Sequence, residues 1–338
     1  MPERADYDEC MERSDQTEFE LSSNPSGAEL SISLGDSEAR IVTVGASLAS
    51  YRAYDRDLVL PFTATEIRPS FRGATLAPWP NRIPDGSYLF QGEQQLPLTE
   101  PGRGHALHGL VSWLDWTVLV HAEHAVTLAT EIVPQPGYPW RIALTTTYRL
   151  GPDGLTQTVN AKNNADTPAP FGTGPHPYLV APDGPLDSWT LTLPADTVLL
   201  TDDRLSPRAT AAVDHDPTRF DYREARAIGR AELDHAFTGL TRGQDGLARV
   251  RVTDRSGRGA EIRFDERCRW VQVHTADQPN LRLNRLGLAV EPMTCPPAAF
   301  QSGEDLLIIA PGDEVSASWT IAPIEPPHAQ LEPPHATA

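Results

Sequence analysis

Ile142-Ala143-Leu144-Thr145-Thr146-Thr147-Tyr148-Arg149-Leu150 carries large apolar side chains at 142, 144, 148 and 150, with polar or small ones between them. A period of two puts alternate side chains on opposite faces of an extended chain, so the stretch reads as a half-buried β-strand. The same alternation recurs outward in both directions. Upstream it appears in Thr127 to Val133 and in Ala28-Glu29-Leu30-Ser31-Ile32-Ser33-Leu34; downstream it appears in Trp189 to Leu193, Ala248 to Val252 and Trp270-Val271-Gln272-Val273-His274-Thr275. Turn formers separate these runs, drawn from 32 prolines and 24 glycines. Helical segments of about ten to fifteen residues do not intervene, so successive strands must join as antiparallel hairpins. The prediction is an all-β fold, a large antiparallel β-sandwich. A single short helix is expected over Pro217 to Ile228, with Asp216 as its cap and Pro217 in its first turn. No period of about 20 to 50 residues repeats, which argues against a propeller or solenoid.

The 338 residues suit one large β domain, expected over 27–322. Residues 1–26 are rich in charge and serine and read as a disordered or loosely packed arm. From Pro323 to 338 the chain is proline-rich and repeats Glu-Pro-Pro-His-Ala at 325–329 and 332–336, a tail expected to be extended and unpaired. Its histidines, His328 and His335, are read as solvated side chains. A formal net charge of −18 opposes binding to nucleic acid or to anionic membranes. No apolar run approaches the roughly 20 residues that span a bilayer, and Met1 to Asn24 is acidic where a signal peptide would be basic and then apolar. Cytoplasmic location is the expectation. Cys10, Cys268 and Cys295 are too scattered for a disulfide framework or a thiolate metal site.

Several polar groups stand in unusual local company. Asn81-Arg82-Ile83 follows Ala77-Pro78-Trp79-Pro80, a stiffened loop offering an amide and a guanidinium fork that match the donors and acceptors of a pyranose. A surface salt bridge is the plainer reading of the same arginine. Gly104-His105-Ala106-Leu107-His108-Gly109-Leu110 holds two histidines three apart. On a strand they would face opposite ways and the glycines oppose a helix, so shared metal ligation is not expected, and His105 reads as an ordinary hydrogen-bonded histidine. In Gly172-Thr173-Gly174-Pro175-His176-Pro177-Tyr178 two prolines immobilise an imidazole able to give or take a proton near neutral pH. Asp234-His235 could grip a hydroxyl or be a surface pair. Glu291 follows the apolar run Leu286-Gly287-Leu288-Ala289-Val290 and precedes Pro292, so it should stand where a buried strand leaves its sheet. Burial there would raise its pKa and make it a usable base.

In order along the chain, these stretches resemble the aldose 1-epimerase (galactose mutarotase) family over about residues 28 to 321. The resemblance is carried by Asn81-Arg82, the turn Gly86-Ser87-Tyr88-Leu89-Phe90-Gln91-Gly92, Leu107-His108-Gly109 with Trp113 and Trp116, Tyr138-Pro139, His176-Pro177-Tyr178, Asp234 to Phe237, and Glu291. It implies a galactose mutarotase-like supersandwich with an open groove, in which His176 is the general acid and Glu291 the general base. Arg82, His108 and Asp234 would hold the sugar, with Asn81 beside them. Neither a metal nor any other cofactor is implied; the expected partner is a monosaccharide, bound by a monomer or homodimer. The chain departs from the galactose-acting branch in having His108-Gly109-Leu110 and Pro175-His176-Pro177-Tyr178-Leu179. The stretch His105 to Val111 and Glu291-Pro292-Met293-Thr294-Cys295 looks more like a bacterial branch that includes mutarotases of modified hexoses such as sulfoquinovose. A hexose-phosphate substrate would need a cationic cluster, for which Arg72, Arg82, Arg103 and Arg285 are the candidates. A non-catalytic carbohydrate-binding protein and a glycoside hydrolase using Asp234 and Glu291 are the rival readings.

Overall fold

A computed structural model describes residues 22–325. Alternating sequences such as Ile142–Gly151 and Gly154–Asn163 form strands whose buried residues recur at every second position. They lie in a nine-stranded sheet with the spatial order Thr117–Ala122, Ala125–Ile132, Ile142–Gly151, Gly154–Asn163, Glu314–Ile324, Gly259–Phe264, Ala248–Thr253, Thr190–Thr192 and Arg226–Ala227. Every pairing in it is antiparallel.

A six-stranded sheet runs in the order Tyr178–Leu179, Leu288–Met293, Trp270–His274, Asp234–Leu240, Ala195–Thr201 and Pro207–Ala212. Three of these carry the site and are labelled β1 (Asp234–Leu240), β2 (Trp270–His274) and β3 (Leu288–Met293). Phe237, Val271, Val273, Leu288 and Val290 from this sheet share one core cluster with Leu144, Tyr148, Val159 and Trp319 from the larger one. Each such side chain contributes about 1.5–3 kcal/mol on burial. Two of the polar tips inside the core are satisfied, Tyr148 Oη donating to the Ala46 carbonyl at 2.8 Å and Trp319 Nε1 to Gln157 Oε1 at 2.9 Å, whereas the Tyr51 and Tyr222 hydroxyls are buried without a partner among the described residues. A four-stranded sheet, Glu29–Leu34 to Arg56–Asp57, adds Ile32, Ile41 and Tyr51 to the same cluster.

Three local expectations are corrected. The helix expected over Pro217 to Ile228 stops at Phe220. Asp216 does cap it, accepting from the Arg219 amide, but Arg226 bonds the carbonyls of Pro217, Thr218 and Asp221 and ends the helix. Arg226 and Ala227 then pair with Leu191 and Thr190. Glu291 does not mark a strand's exit: β3 continues through Pro292 to Met293, buried at every residue. Its neighbour Tyr178–Leu179 pairs only with Ala289 and Leu288, so the ladder on that edge of β3 has ended before Pro292, where the segment around Gly174 lies alongside and the missing amide hydrogen is tolerated. Pro323 and Ile324, placed in the tail, pair with Ala260 and Gly259 beyond the last pairing to Gly154–Asn163, where the strand has become an edge. At the other end Ser26 is buried, its amide bonded to the Ala64 carbonyl and its hydroxyl to that of Glu66. Apart from Glu325, the repeated Glu-Pro-Pro-His-Ala segment, with His328 and His335, and residues 1–21, with Cys10, lie outside the described residues. Among the described residues no helix is long and apolar enough to cross a membrane.

Candidate active site

The site begins with strand register. Asp234 of β1 stands opposite His274 of β2, and Gln272 of β2 opposite Glu291 of β3. Period two therefore puts Asp234, Gln272, His274 and Glu291 on one face while Val271, Val273 and Val290 enter the core on the other. His176 is brought to this face by the segment before it, and glycine makes the approach possible. A Cβ on Gly174 would lie 2.5 Å from the Pro292 carbonyl oxygen, and one on Gly172 would lie 2.4 Å from Cys295 Sγ. The segments are pinned on both sides of His176. The Thr294 amide donates to the Thr173 carbonyl (3.0 Å) and the Val290 amide to that of Pro177 (3.2 Å).

The third wall is the Asn81–Arg82 loop. Arg82–Pro84 pairs with His105–Leu107, and Asn81 and His108 beyond its end both take left-handed backbone, φ 55° and 60°. They hold each other: the His108 amide donates to the Asn81 carbonyl at 2.8 Å, and the Asn81 amide to His108 Nδ1 at 3.2 Å. An Nδ1 that accepts leaves Nε2–H as the donor of a neutral His108 ring. Asn81 Oδ1 accepts from the Arg82 amide at 2.9 Å, so this side chain partly serves its own turn.

Asn81, Arg82, His108, His176, Asp234 and Glu291 all line one cavity of about 210 Å³. His176 Nε2 is 3.4 Å from Glu291 Oε1, and both side chains are almost fully buried. Burial pushes Glu291 well above the usual carboxylate range, aided by the nearby charge of Asp234 and opposed by Arg82. Burial likewise pulls His176 down to about 3, with a contribution from His274, and pulls His108 well below the ordinary imidazole value. Asp234 shifts the other way. Burial alone would raise it, but His274, Arg82 and a 2.6 Å hydrogen bond from Gln272 Nε2 hold it below the usual value. Arg82 forms a two-pronged bond to Glu100, Nε to Oε2 at 2.8 Å and Nη2 to Oε1 at 3.2 Å, with Asp234 Oδ2 3.9 Å from Nη2. Glu291 Oε2, His176 Nδ1 and Gln272 Oε1 are buried without a hydrogen-bond partner among the described residues. Unsatisfied buried acceptors and donors at a cavity are costly unless a ligand completes them.

The arginine cluster considered for a phosphate does not form. Arg82 and Arg103 line the cavity, but Arg285 is tied to Asp187 and Asp277, and Arg72 reaches the Pro61 carbonyl. His105 lies off the cavity with Nε2 on the Arg204 carbonyl at 2.7 Å. His235 faces away from Asp234's side of β1 and packs on Phe220. Of the aromatic markers, Trp116 and Tyr138 are core residues and Trp113 is exposed. Sequence reasoning missed Gln272, His274, Glu100, Phe71, Tyr178 and Asp277. Gln272 and His274 had a signal, as polar residues at alternate positions of an otherwise apolar strand; Glu100 had none.

Residues 29–322 match the family described as aldose 1-epimerase. The uncharacterized protein YihR of Escherichia coli K12 is 36% identical over 290 residues, 85% of this chain and 90% of that protein. Among solved structures, the aldose epimerase homologue of C. elegans superimposes with a TM-score of 0.76 at 21% identity, covering 88% of this chain and 99% of the other. The galactose 1-epimerase of Lactobacillus acidophilus NCFM does so with a TM-score of 0.72 at 19% identity, covering 87% and 94%. At such identities the structural matches speak for a shared fold, the galactose mutarotase-like β-sandwich. With a family match across almost the whole described chain and a relative above one-third identity, the protein belongs to the aldose 1-epimerase family and is an isomerase.

Proposed function

We propose that this epimerase interconverts the α and β anomers of an aldohexose or modified hexose, with Glu291 as general base and His176 as general acid. The observation that carries the reading is the 3.4 Å contact between His176 Nε2 and Glu291 Oε1 at the floor of a sugar-sized polar cavity. Anomerisation needs one group to take the proton from the C1 hydroxyl and another to give one to the ring oxygen. As Glu291 removes the O1 proton, the C1–O5 bond breaks, its electron pair goes to O5, and O5 takes the proton of His176. Rotation about C1–C2 then presents the other aldehyde face, and the same transfers run backward.

The shifts described above favour a protonated Glu291 and a neutral His176 before a sugar binds. The active pair, carboxylate and imidazolium, holds the same number of protons. Passing one proton across the contact therefore arms the site without a change in net charge. Sugar hydroxyls donating to Glu291 Oε2 would favour that transfer. Arg82, His108 Nε2–H and Asp234 supply donors and an acceptor for the remaining hydroxyls. The test is Glu291→Gln, with sugar binding measured by calorimetry and mutarotation by polarimetry. Retained binding with a lost rate supports catalysis; a wild-type rate no faster than buffer refutes it and leaves a sugar-binding protein.

Arg103 favours a second reading of the substrate, a hexose with an anionic substituent. It lines the cavity, is half exposed, and shares Glu100 with Arg82. A mutarotation screen over glucose, galactose, xylose, sulfoquinovose and glucose 6-phosphate separates the readings. If an anion is recognised, Arg103→Ala lowers kcat/KM for the anionic sugars alone.

A further inference from the structure

Phe71 lies at the cavity wall, outside the set of groups that exchange protons or hydrogen bonds with a sugar. Its ring centroid is 4.7 Å from that of His108 and 6.3 Å from that of His176, and these two imidazoles are 5.0 Å apart. The three rings form a closed triangle. Phe71 and His176 are nearly parallel, 21° apart, and Tyr178 stacks on His176 at 5.3 Å and 18°.

The backbone beneath Phe71 is unusual for a residue that merely fills space. Ser70 and Phe71 are consecutive L-residues with φ 48° and 56°, a left-handed pair that side chains disfavour. Such backbone persists only where its surroundings over-determine it, and here they do. The Tyr178 hydroxyl donates to the Ser70 carbonyl at 3.3 Å. The Arg72 amide closes on Pro69 and the Ala74 amide on Phe71. Two bonds then tie the turn to the imidazole-bearing residue: the Gly73 amide donates to the His176 carbonyl at 2.8 Å, and the His176 amide to that of Ala74 at 3.1 Å. On its outer side Phe71 meets Trp113 at 5.6 Å. Trp113 in turn lies under the buried Arg68 guanidinium, 4.4 Å from its centroid. Arg68 is anchored by Ser47 Oγ and the carbonyls of Val44 and Ser112.

Resting on the mutarotase reading of the same cavity, we propose that Phe71 is a positioning residue. The strained Ser70–Phe71 turn holds the Phe71 ring beside both His108, tilted at 60°, and His176, nearly parallel at 21°, fixing the angle between them and keeping water off their outer side. The need is visible at His176. Its Nδ1 is buried with no hydrogen-bond partner among the described residues, so no second bond orients the ring. Stacking between Phe71 and Tyr178 does so instead, and an aromatic face tolerates the imidazolium that must form in turnover. The ionisable groups around His176 are Glu291, Asp234 and His274 from the sheet, His108 and Arg68 from the loops, and Tyr178 beside it.

The experiment compares Phe71→Ala, Phe71→Leu and Phe71→Tyr in the full chain. Removing the ring is expected to lower kcat roughly 10- to 100-fold with KM changed less than about threefold. The acid limb of the kcat/KM profile, which reports the free enzyme, should move to higher pH as water reaches the imidazole. Tyr should restore most of the rate and Leu should not, because Leu fills volume without offering a face. Equal rates for Leu and Tyr, or an unmoved acid limb in the Ala variant, would overturn the proposal, and so would a loss expressed only in KM. Imidazole titration by NMR in the sugar-free Leu variant requires no turnover. A shifted His176 there, in a protein whose wild type has no mutarotation, would retain the positioning role and discard the reaction; an unshifted one would discard the positioning role.

Discussion

The two large sheets use the same alternation to different ends. In Ile142–Gly151 the side chains facing away from the core are partly exposed threonines and an arginine, and cross-strand hydroxyl pairs such as Thr158 with Ser318 face solvent. In β2 and β3 the corresponding face is covered as well, in part by a small apolar cluster of Trp270, Met293, Ala236 and Leu199 and in part by the polar site. Gln272 and Glu291 lie there, buried beneath the segments that carry His176, His108 and Arg82. A strand buried on both faces, with polar residues in register on one of them, is therefore a place where burial does chemical work. Desolvation there moves proton affinities, whereas on an outer face it does not.

Substitutions on the two faces should separate activity from stability. The largest effect is expected at Glu291→Gln, with kcat lowered about 10²- to 10⁴-fold and sugar binding retained. Because the folded-state pKa of Glu291 is raised, its protonated form is favoured in the fold, and that stabilisation is lost as pH rises through the folded value. The Gln variant should consequently lose less stability than wild type toward alkaline pH, measured by denaturant titration at several pH values. Leu144→Ala, on the core face of the larger sheet, should cost about 2–5 kcal/mol of stability and leave the mutarotation rate per folded molecule unchanged. An equal loss of rate per folded molecule would break the contrast.

Acid sensitivity sharpens it. His176 and His235, lowered to about 3 and about 4 by burial, resist protonation in the fold but not in the unfolded chain. Stability should therefore fall as pH drops from about 6.5 toward those values, each group contributing up to about 1.4 kcal/mol per pH unit. Asp234 and Glu100 are held low despite their burial, chiefly by His274 and by Arg82 respectively, so they withdraw support in the same direction as pH falls further. His176→Asn should flatten the acid slope. The smallest effect is expected on the partly exposed hydroxyl ladder, where Thr158→Ala should cost about 0.2–1 kcal/mol and no activity.

Alternation revealed the strands because half of each faces a core and half does not, and that contrast is written in residue type. The fold class was legible for this reason; the candidacy of His176, Glu291, Asp234, His108 and Arg82 came instead from the ordered motifs that resemble the family, and the fold gathers these residues into one cavity. Glu100 was not legible. It reaches Arg82 from a turn 18 residues away, and its nearby partner Arg103 gives no sign of that link. Phe71 looked like any aromatic because its role depends on a left-handed backbone and on rings from three distant segments. The helix was overestimated because its local signals, Asp216 and Pro217, determine only where it starts. Its end is set by the Arg226 side chain turning back on its carbonyls.

A crystal structure of the Glu291→Gln variant soaked with the best hexose of the mutarotation screen tests the central claim most directly. The expected result is a pyranose whose O1 lies about 2.6–3.2 Å from the side chain at position 291 and whose O5 lies at a similar distance from His176 Nε2. A sugar bound with its anomeric carbon turned toward Arg103 and Asp277, out of reach of both, would contradict the account.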